Sequence, residues 1–331
     1  MPDFPRHDDA WYRARLAPPR GRPRVVIDTD TANEIDDQFA LAWALLSPQQ
    51  LEVAAVYAAP FSFAHRRADH PAAPTDAPPF CAPGVGMARS YDEIHTVFGK
   101  LGLPAADRVF RGSTGYLAST ETPQPSDAAR HLVAAARAQP DEEPLYVVAL
   151  GCVTNIASAL LLAPDIVDRV VVVWTSGYPS HAPHVNDSFN LEQDVAASQI
   201  LLDSGVPHVY LPGFHVGAQL RLSLAEMECH VRGRGAIGDY LHHLFTHNPL
   251  WALTGRGPAG APHSWVIWDV INIAWLLQPQ WVPSELVRTP RLGADRRWLP
   301  DPSRHLMREA HAVQRDAVFN DFFAKLALGP G

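Results

Sequence analysis

Residues 25–47, VVIDTDTANEIDDQFALAWALLS, constrain the fold more than any other stretch. Asp28, Asp30, Glu34, Asp36 and Asp37 put five acids inside ten positions, and no Lys or Arg lies between Val25 and His65. An exposed acidic loop would account for the charges. It would not account for the apolar VVI before them or the apolar-rich FALAWALL after them, which read as a buried strand and a helix. Two carboxylates about 4 Å apart in a partly buried site repel by roughly 4 kcal/mol at an effective dielectric near 20. Three or more converging there either take up protons or hold a cation. A helix N-terminus near Asp36 offsets only about 0.3–1 kcal/mol per charge, so a divalent ion is the more adequate partner. Oxygen ligands with no His or Cys cluster favour Ca²⁺ or Mg²⁺ over zinc. An EF-hand read from Asp28 fails, with Asn33 where Gly is needed and Phe39 where Glu is needed.

The 331 residues carry 47% apolar and 19% charged side chains, enough for a substantial core. The net charge of −8 gives no basic footprint for nucleic acid or an anionic membrane. Cys81, Cys152 and Cys229 are widely spaced and suggest neither a disulfide framework nor a zinc site. The polar N-terminus does not read as a signal peptide and no apolar run is long enough to span a bilayer, so a cytoplasmic protein is expected.

Along the chain, residues 1–23 read as an extended, Pro- and Arg-rich arm, and 24–331 as a single α/β domain. Strands are expected at 24–27, 51–59, 145–150, 169–177 and 207–213. Helices are expected at 36–46, 86–102, 126–139, 154–163 and 191–205, with Ser126 as an N-cap and a closing helix at 310–328. Continuous apolar strands alternating with helices indicate a mostly parallel open sheet covered on both faces. A helical elaboration occupies about 223–277, and a long loop follows the second strand. Ligands of such sheets bind beyond the carboxyl ends of the strands. Four segments bring polar groups there or near it: DTDTANEIDD, LGCVTN, SGYPSHAPHVNDSFN and WVIWDV.

A strand ending in DTD, a short turn and DDQFAL resemble the opening signature of the inosine/uridine-preferring nucleoside hydrolases. ALGCVTNIASAL, NDSFNLEQDVAAS and WDVINIAWLLQPQW resemble three further blocks of that family, in order. The resemblance implies a nucleoside hydrolase-like α/β fold and calcium-dependent hydrolysis of the N-glycosidic bond of a ribonucleoside or related N-ribosyl compound. It implies one Ca²⁺ held by Asp30, Asp37, Asp269 and the Leu150 carbonyl, with Asp30 also the catalytic base. Asp36 and Asn190 would hydrogen-bond the ribose, Asn186 would face the sugar, and Asp28 would brace the turn. A homodimer or homotetramer is expected by the same analogy.

The chain departs from the family pattern at several of these points. Its acidic turn is two residues longer, which brings Glu34 toward the ion's surroundings. Ser188 stands where the family has Glu, and Trp268 where many members have the His that protonates a purine leaving group. Pro60, Phe61 and Ser62 stand where a ribose-binding Asn is usual. Trp268 offers a ring to stack on a base, and His243 and His247, four apart on one helical face, are candidate replacement acids. Two other readings remain: a homologue that binds sugar without cleaving it, and a haloacid-dehalogenase-like phosphohydrolase using the DTDT turn. The latter leaves NDSFN and WDV unexplained, and Lys100 and Lys325 are poorly placed for it.

Overall fold

A computed structural model describes residues 2–71, 73, 78–140, 142–250, 253 and 263–329. Its frame is an eight-stranded sheet of β1 (Arg24–Thr29), β2 (Glu52–Ala58), β3 (Val109–Arg111), β4 (Leu145–Ala149), β5 (Val170–Ser176), β6 (His208–Pro212), β9 (Ser284–Arg288) and β12 (Leu306–Ala310). Four short strands form two hairpin-sized sheets beside it: β7 (Arg221–Ser223) with β8 (Ser264–Val266), and β10 (Arg291–Leu292) with β11 (Trp298–Leu299). The main order is β3-β2-β1-β4-β5-β6-β12-β9, and all pairs are parallel except β12 with β9. The order reverses between β1 and β4, and such a switch point opens a crevice at the carboxyl edge of a parallel sheet.

The continuous apolar strands are explained by cover on both faces. Val25 and Ile27 of β1, Tyr146 and Val148 of β4, and Val171 and Val173 of β5 enter one core. Their neighbours Val26, Val147, Val172 and Trp174 enter the other. Helices Asp36–Leu45, Pro83–Lys100, Val270–Leu277 and Arg315–Leu328 contribute to the first core. Helices Asp127–Arg137, Thr154–Leu162 and Val195–Asp203 contribute to the second. A side-chain period of two along each strand therefore requires apolar residues at every position.

Several expectations need correction. The N-terminal arm is not simply extended: Asp8 caps a helix, Asp9–Arg15, by accepting from Trp11 N, and Tyr12 and Leu16 are fully buried. The helix expected at 191–205 is two pieces, Phe189–Glu192 and Val195–Asp203. Asp194 breaks it by capping the second piece through Ala197 N, at 2.9 Å. The closing helix starts at Arg315, because 306–310 is spent on β12. The long loop holds two short 3₁₀ helices, Ala64–Asp69 and Pro78–Phe80; its residues 72 and 74–77 lie outside the described residues. No helix among the described residues is long and apolar enough to cross a membrane.

Candidate active site

β1 ends in Asp28-Thr29, and the turn that follows carries Asp30, Asn33 and Glu34 before the helix Asp36–Leu45 begins. Asn33 N closes the turn on Asp30 O at 2.7 Å. Asp28, Asp30, Asp36, Asp37 and Asp269 are each at most 4% exposed. The chain therefore buries its acids, as the apolar flanks require. Asp269 arrives from the loop before the helix Val270–Leu277, more than two hundred positions away, and joins Asp36 and Asp37 in a trio whose oxygens lie within 4.8 Å of one another. Asp30 is not a member of that tightest trio. Its charge nevertheless interacts with Asp37, and its Oδ1 is buried with no hydrogen-bond partner.

Burial pushes every one of these carboxyls up. The Asp37 carboxyl is raised to about 6 by burial, against hydrogen bonds from Thr29 and backbone amides that hold it down. Burial raises Asp28 to about 7, opposed by Asn155 and assisted by Asp37. Glu34 is raised to about 7 by burial, opposed by the Trp265 indole, whose Nε1 donates to it at 2.6 Å. Asp30, Asp36 and Asp269 lie well above the usual carboxylate range, from burial first and mutual repulsion next. Without a cation, such a cluster is a proton store. With one, the same oxygens become ligands.

Asp30, Glu34, Asp36, Asp37 and Asp269 line a cavity of about 190 Å³ at the carboxyl edge of the sheet. Leu150, Thr175, Ser176 and Gly213, which follow or end β4, β5 and β6, form its floor, and Ser188, Phe189, Asn190, Phe214 and Trp268 line it further. Asp30 closes down on the backbone after β4: a Cβ on Gly151 would sit 2.8 Å from Asp30 Oδ1, so any larger residue there would displace the Asp30 carboxylate. Asn155 Nδ2 donates to Asp28 Oδ1 at 2.8 Å, while Asn155 Oδ1 accepts from Ser113 N at 2.8 Å. That bridge braces the turn from below.

Not every expected residue reaches the cavity. Asn186 does not: it is fully buried, its Oδ1 accepting from Tyr178 N and its Nδ2 donating to Arg296 O, so both ends serve the backbone. Asn190 lines the cavity, but its Nδ2 donates to Leu150 O at 2.6 Å, leaving only Oδ1 for a sugar hydroxyl. Ser188 accepts from Gly177 N at 2.8 Å and faces Ser176 Oγ at 3.0 Å. His243 and His247 are exposed and stack on each other, ring centroids 4.3 Å apart, and neither lines the cavity. Their shared helical face points them at one another instead. Phe61 is buried and Ser62 N donates to Gln193 Oε1 at 2.9 Å, so the strand-two exit is occupied by packing.

Sequence reasoning missed Glu192 and Trp265. Glu192 is only 5% exposed and receives His65, Arg66 and Arg296. Arg66 also donates to Asp187 O and lies over the Phe189 ring, at the cavity rim. Nothing local in the sequence signals these pairings.

The fold is that of known nucleoside hydrolases. The purine-preferring ribonucleoside hydrolase of Gardnerella vaginalis superposes with TM-score 0.69 at 19% identity, covering 92% of this chain and 98% of that one. A plant nucleoside hydrolase, PpNRh1, superposes with TM-score 0.67 at 18% identity, covering 92% and 99%. An uncharacterised protein of Schizosaccharomyces pombe is 26% identical over 138 residues, 41% of this chain and 43% of that relative, so the match spans less than half the relative's length. The family model described as inosine-uridine preferring nucleoside hydrolase matches residues 25–313. That range takes in the acidic turn, the strand-four exit, the NDSFN segment and Asp269, and the chain belongs to the inosine-uridine preferring nucleoside hydrolase family.

Proposed function

We propose that this chain is a calcium-dependent N-ribosyl hydrolase that splits a ribonucleoside or related N-ribosyl compound into free base and ribose. The observation that carries the reading is the convergence of Asp36, Asp37 and Asp269 beside a buried, partnerless Asp30 Oδ1 in one cavity. An all-oxygen donor set of this kind suits a hard divalent cation. Asp30, Asp37 and Asp269 with the Leu150 carbonyl would hold it, and Asp36 is close enough to share it. Bound there, calcium supplies an oriented water with a lowered pKa.

The chain's own residues account for the remaining chemistry. Cleaving an N-glycosidic bond builds positive charge on the ribose in an oxocarbenium-like transition state. Asp30 takes the proton of the attacking water. Asp36 and Asn190 Oδ1 hold ribose hydroxyls and fix the anomeric carbon against that water, and Ser188 lies where the 5′ end would be read. The other carboxylates favour a sugar that turns cationic, an interaction stronger in the transition state than in the ground state. We take the enzyme as cytoplasmic and as acting on small molecules rather than nucleic acid or membrane, and by family analogy as a homodimer or homotetramer. A haloacid-dehalogenase-like reading of the DTDT turn loses its ground once the family is assigned.

The test is a panel of N-ribosides scored for reducing sugar, with calcium and with a chelator. The expected result is release of ribose that the chelator abolishes and added calcium restores. Tight binding of ribosides with no sugar released under either condition would mark a binding homologue instead.

A further inference from the structure

We propose that the substrate class this site serves best is an N-ribosyl pyridinium, a ribose joined to an aromatic base that already carries positive charge. The inference rests on the hydrolase reading above and narrows it. Breaking an N-glycosidic bond sends the bonding electron pair onto the base nitrogen. From uracil or hypoxanthine that produces an anion, which needs a proton as it departs. From a pyridinium the same pair cancels the charge already on the ring. The C1′–N bond breaks, its electrons return to the ring nitrogen, a water oxygen bonds to C1′, and the water's proton passes by way of Asp30 to solvent. The products are ribose, a neutral pyridine and one proton, and the leaving base needs no acid.

The cavity has the composition for that reaction. Among the described residues it is lined by no His, Tyr, Cys or Lys. Among the described residues the lining acids are the buried group around Asp30, with Asp187 exposed at the rim. Besides small polar groups such as Thr175, Ser176 and Asn190, the lining carries three rings: Phe214, which meets Trp268 edge-on at 6.1 Å, and Phe189, which stacks on Phe63 at 4.0 Å with the Arg66 guanidinium 5.6 Å from its centroid. Aromatic faces attract a flat cation by about 0.5–2 kcal/mol per contact. The one lining cation among the described residues, Arg66, is held by the largely buried Glu192.

The charge movement then matches the layout. Positive charge starts on the ring, between the aromatic walls, and moves in the transition state to the ribose, among the carboxylates. A neutral base offers nothing to those walls beyond stacking and leaves as an anion beside carboxylates, which repel it.

The test measures kcat/KM of the full chain with calcium on nicotinamide riboside, inosine, uridine and p-nitrophenyl β-D-ribofuranoside, each corrected for its uncatalysed rate. Nicotinamide riboside is expected to exceed inosine and uridine by about 10²-fold or more, the usual worth of a missing general acid. Trp268→His is expected to narrow that gap by raising inosine cleavage. Inosine or uridine cleaved as efficiently as nicotinamide riboside overturns the inference. The p-nitrophenyl riboside separates the two levels, because its leaving group needs no acid and carries no cation. If it is cleaved and nicotinamide riboside is not, the pyridinium assignment falls and the hydrolase reading stands; if none of the four is cleaved, both fall. Should Trp268→His fail to fold, the comparison of the four substrates decides.

Discussion

Asp30→Asn will lower kcat on whichever N-riboside the wild type cleaves by about 10²–10⁴-fold, the range expected when a general base is lost, and will leave the chain folded. Asn has nearly the shape of Asp and keeps an oxygen that accepts from Asn33 Nδ2, a bond of 3.1 Å in the native protein. It cannot take a proton from water. Asp30 Oδ1 is buried and makes no hydrogen bond among the described residues, so that oxygen, unlike Oδ2, satisfies no local structural need. It is instead held at high pKa by burial and by Asp37. Removing its charge relieves repulsion within the cluster, so without calcium the variant should melt at the same temperature as the wild type or higher. Steady-state kinetics beside thermal melts check both halves. A rate within threefold of wild type would remove Asp30 from the mechanism, and a collapsed melting transition would assign it a structural role.

The second large effect concerns calcium and pH together. With calcium chelated, the protein should gain stability on acidification from pH 8 to pH 5, the reverse of ordinary acid denaturation. Carboxyls near 3.9–4.3 in the unfolded chain are raised to about 6 at Asp37 and about 7 at Asp28 and Glu34 in the folded one. Between those limits the folded state binds protons that the unfolded state has released, so the slope of unfolding free energy with pH is negative. That stability is fully present below about pH 4 and is lost as pH rises through 6 to 7. Saturating calcium should cancel the trend by taking the protons' place. At free calcium near a thousand times its Kd it adds about 4 kcal/mol, with the largest gain at pH 8. Melts at pH 5, 6.5 and 8, with calcium and with chelator, check this; a chelated protein whose melting temperature climbs steadily toward pH 8 would contradict it.

The sheet and its flanking helices are legible in the sequence because burial on two faces leaves continuous apolar runs such as VVVVW. The acidic turn is legible for a related reason: charges between VVI and FALAWALL have nowhere to go but inward. What stays hidden depends on contacts made across the chain. The partners of Glu192 are more than a hundred positions behind it in His65 and Arg66 and ahead of it in Arg296. Trp265 meets Glu34 across most of the chain. Asp194 sits inside a helical pattern and reads as an ordinary surface acid until Thr154 and Leu117 N are seen to donate to it. β12 carries Arg308 and Glu309 and has too little apolar content to declare itself a strand. Asn186 and Asn190 look alike in NDSFN, yet the first is spent on backbone and only the second faces the cavity.

Calorimetric titration of calcium into chelator-stripped protein, run in two buffers of different ionisation enthalpy, reaches the central claim most directly. One ion should bind per chain and release protons, more of them at pH 6 than at pH 8, and binding should be lost in Asp37→Asn. Absence of binding, or binding with no proton released at pH 6, would mean that the buried carboxyls do not exchange their protons for a metal.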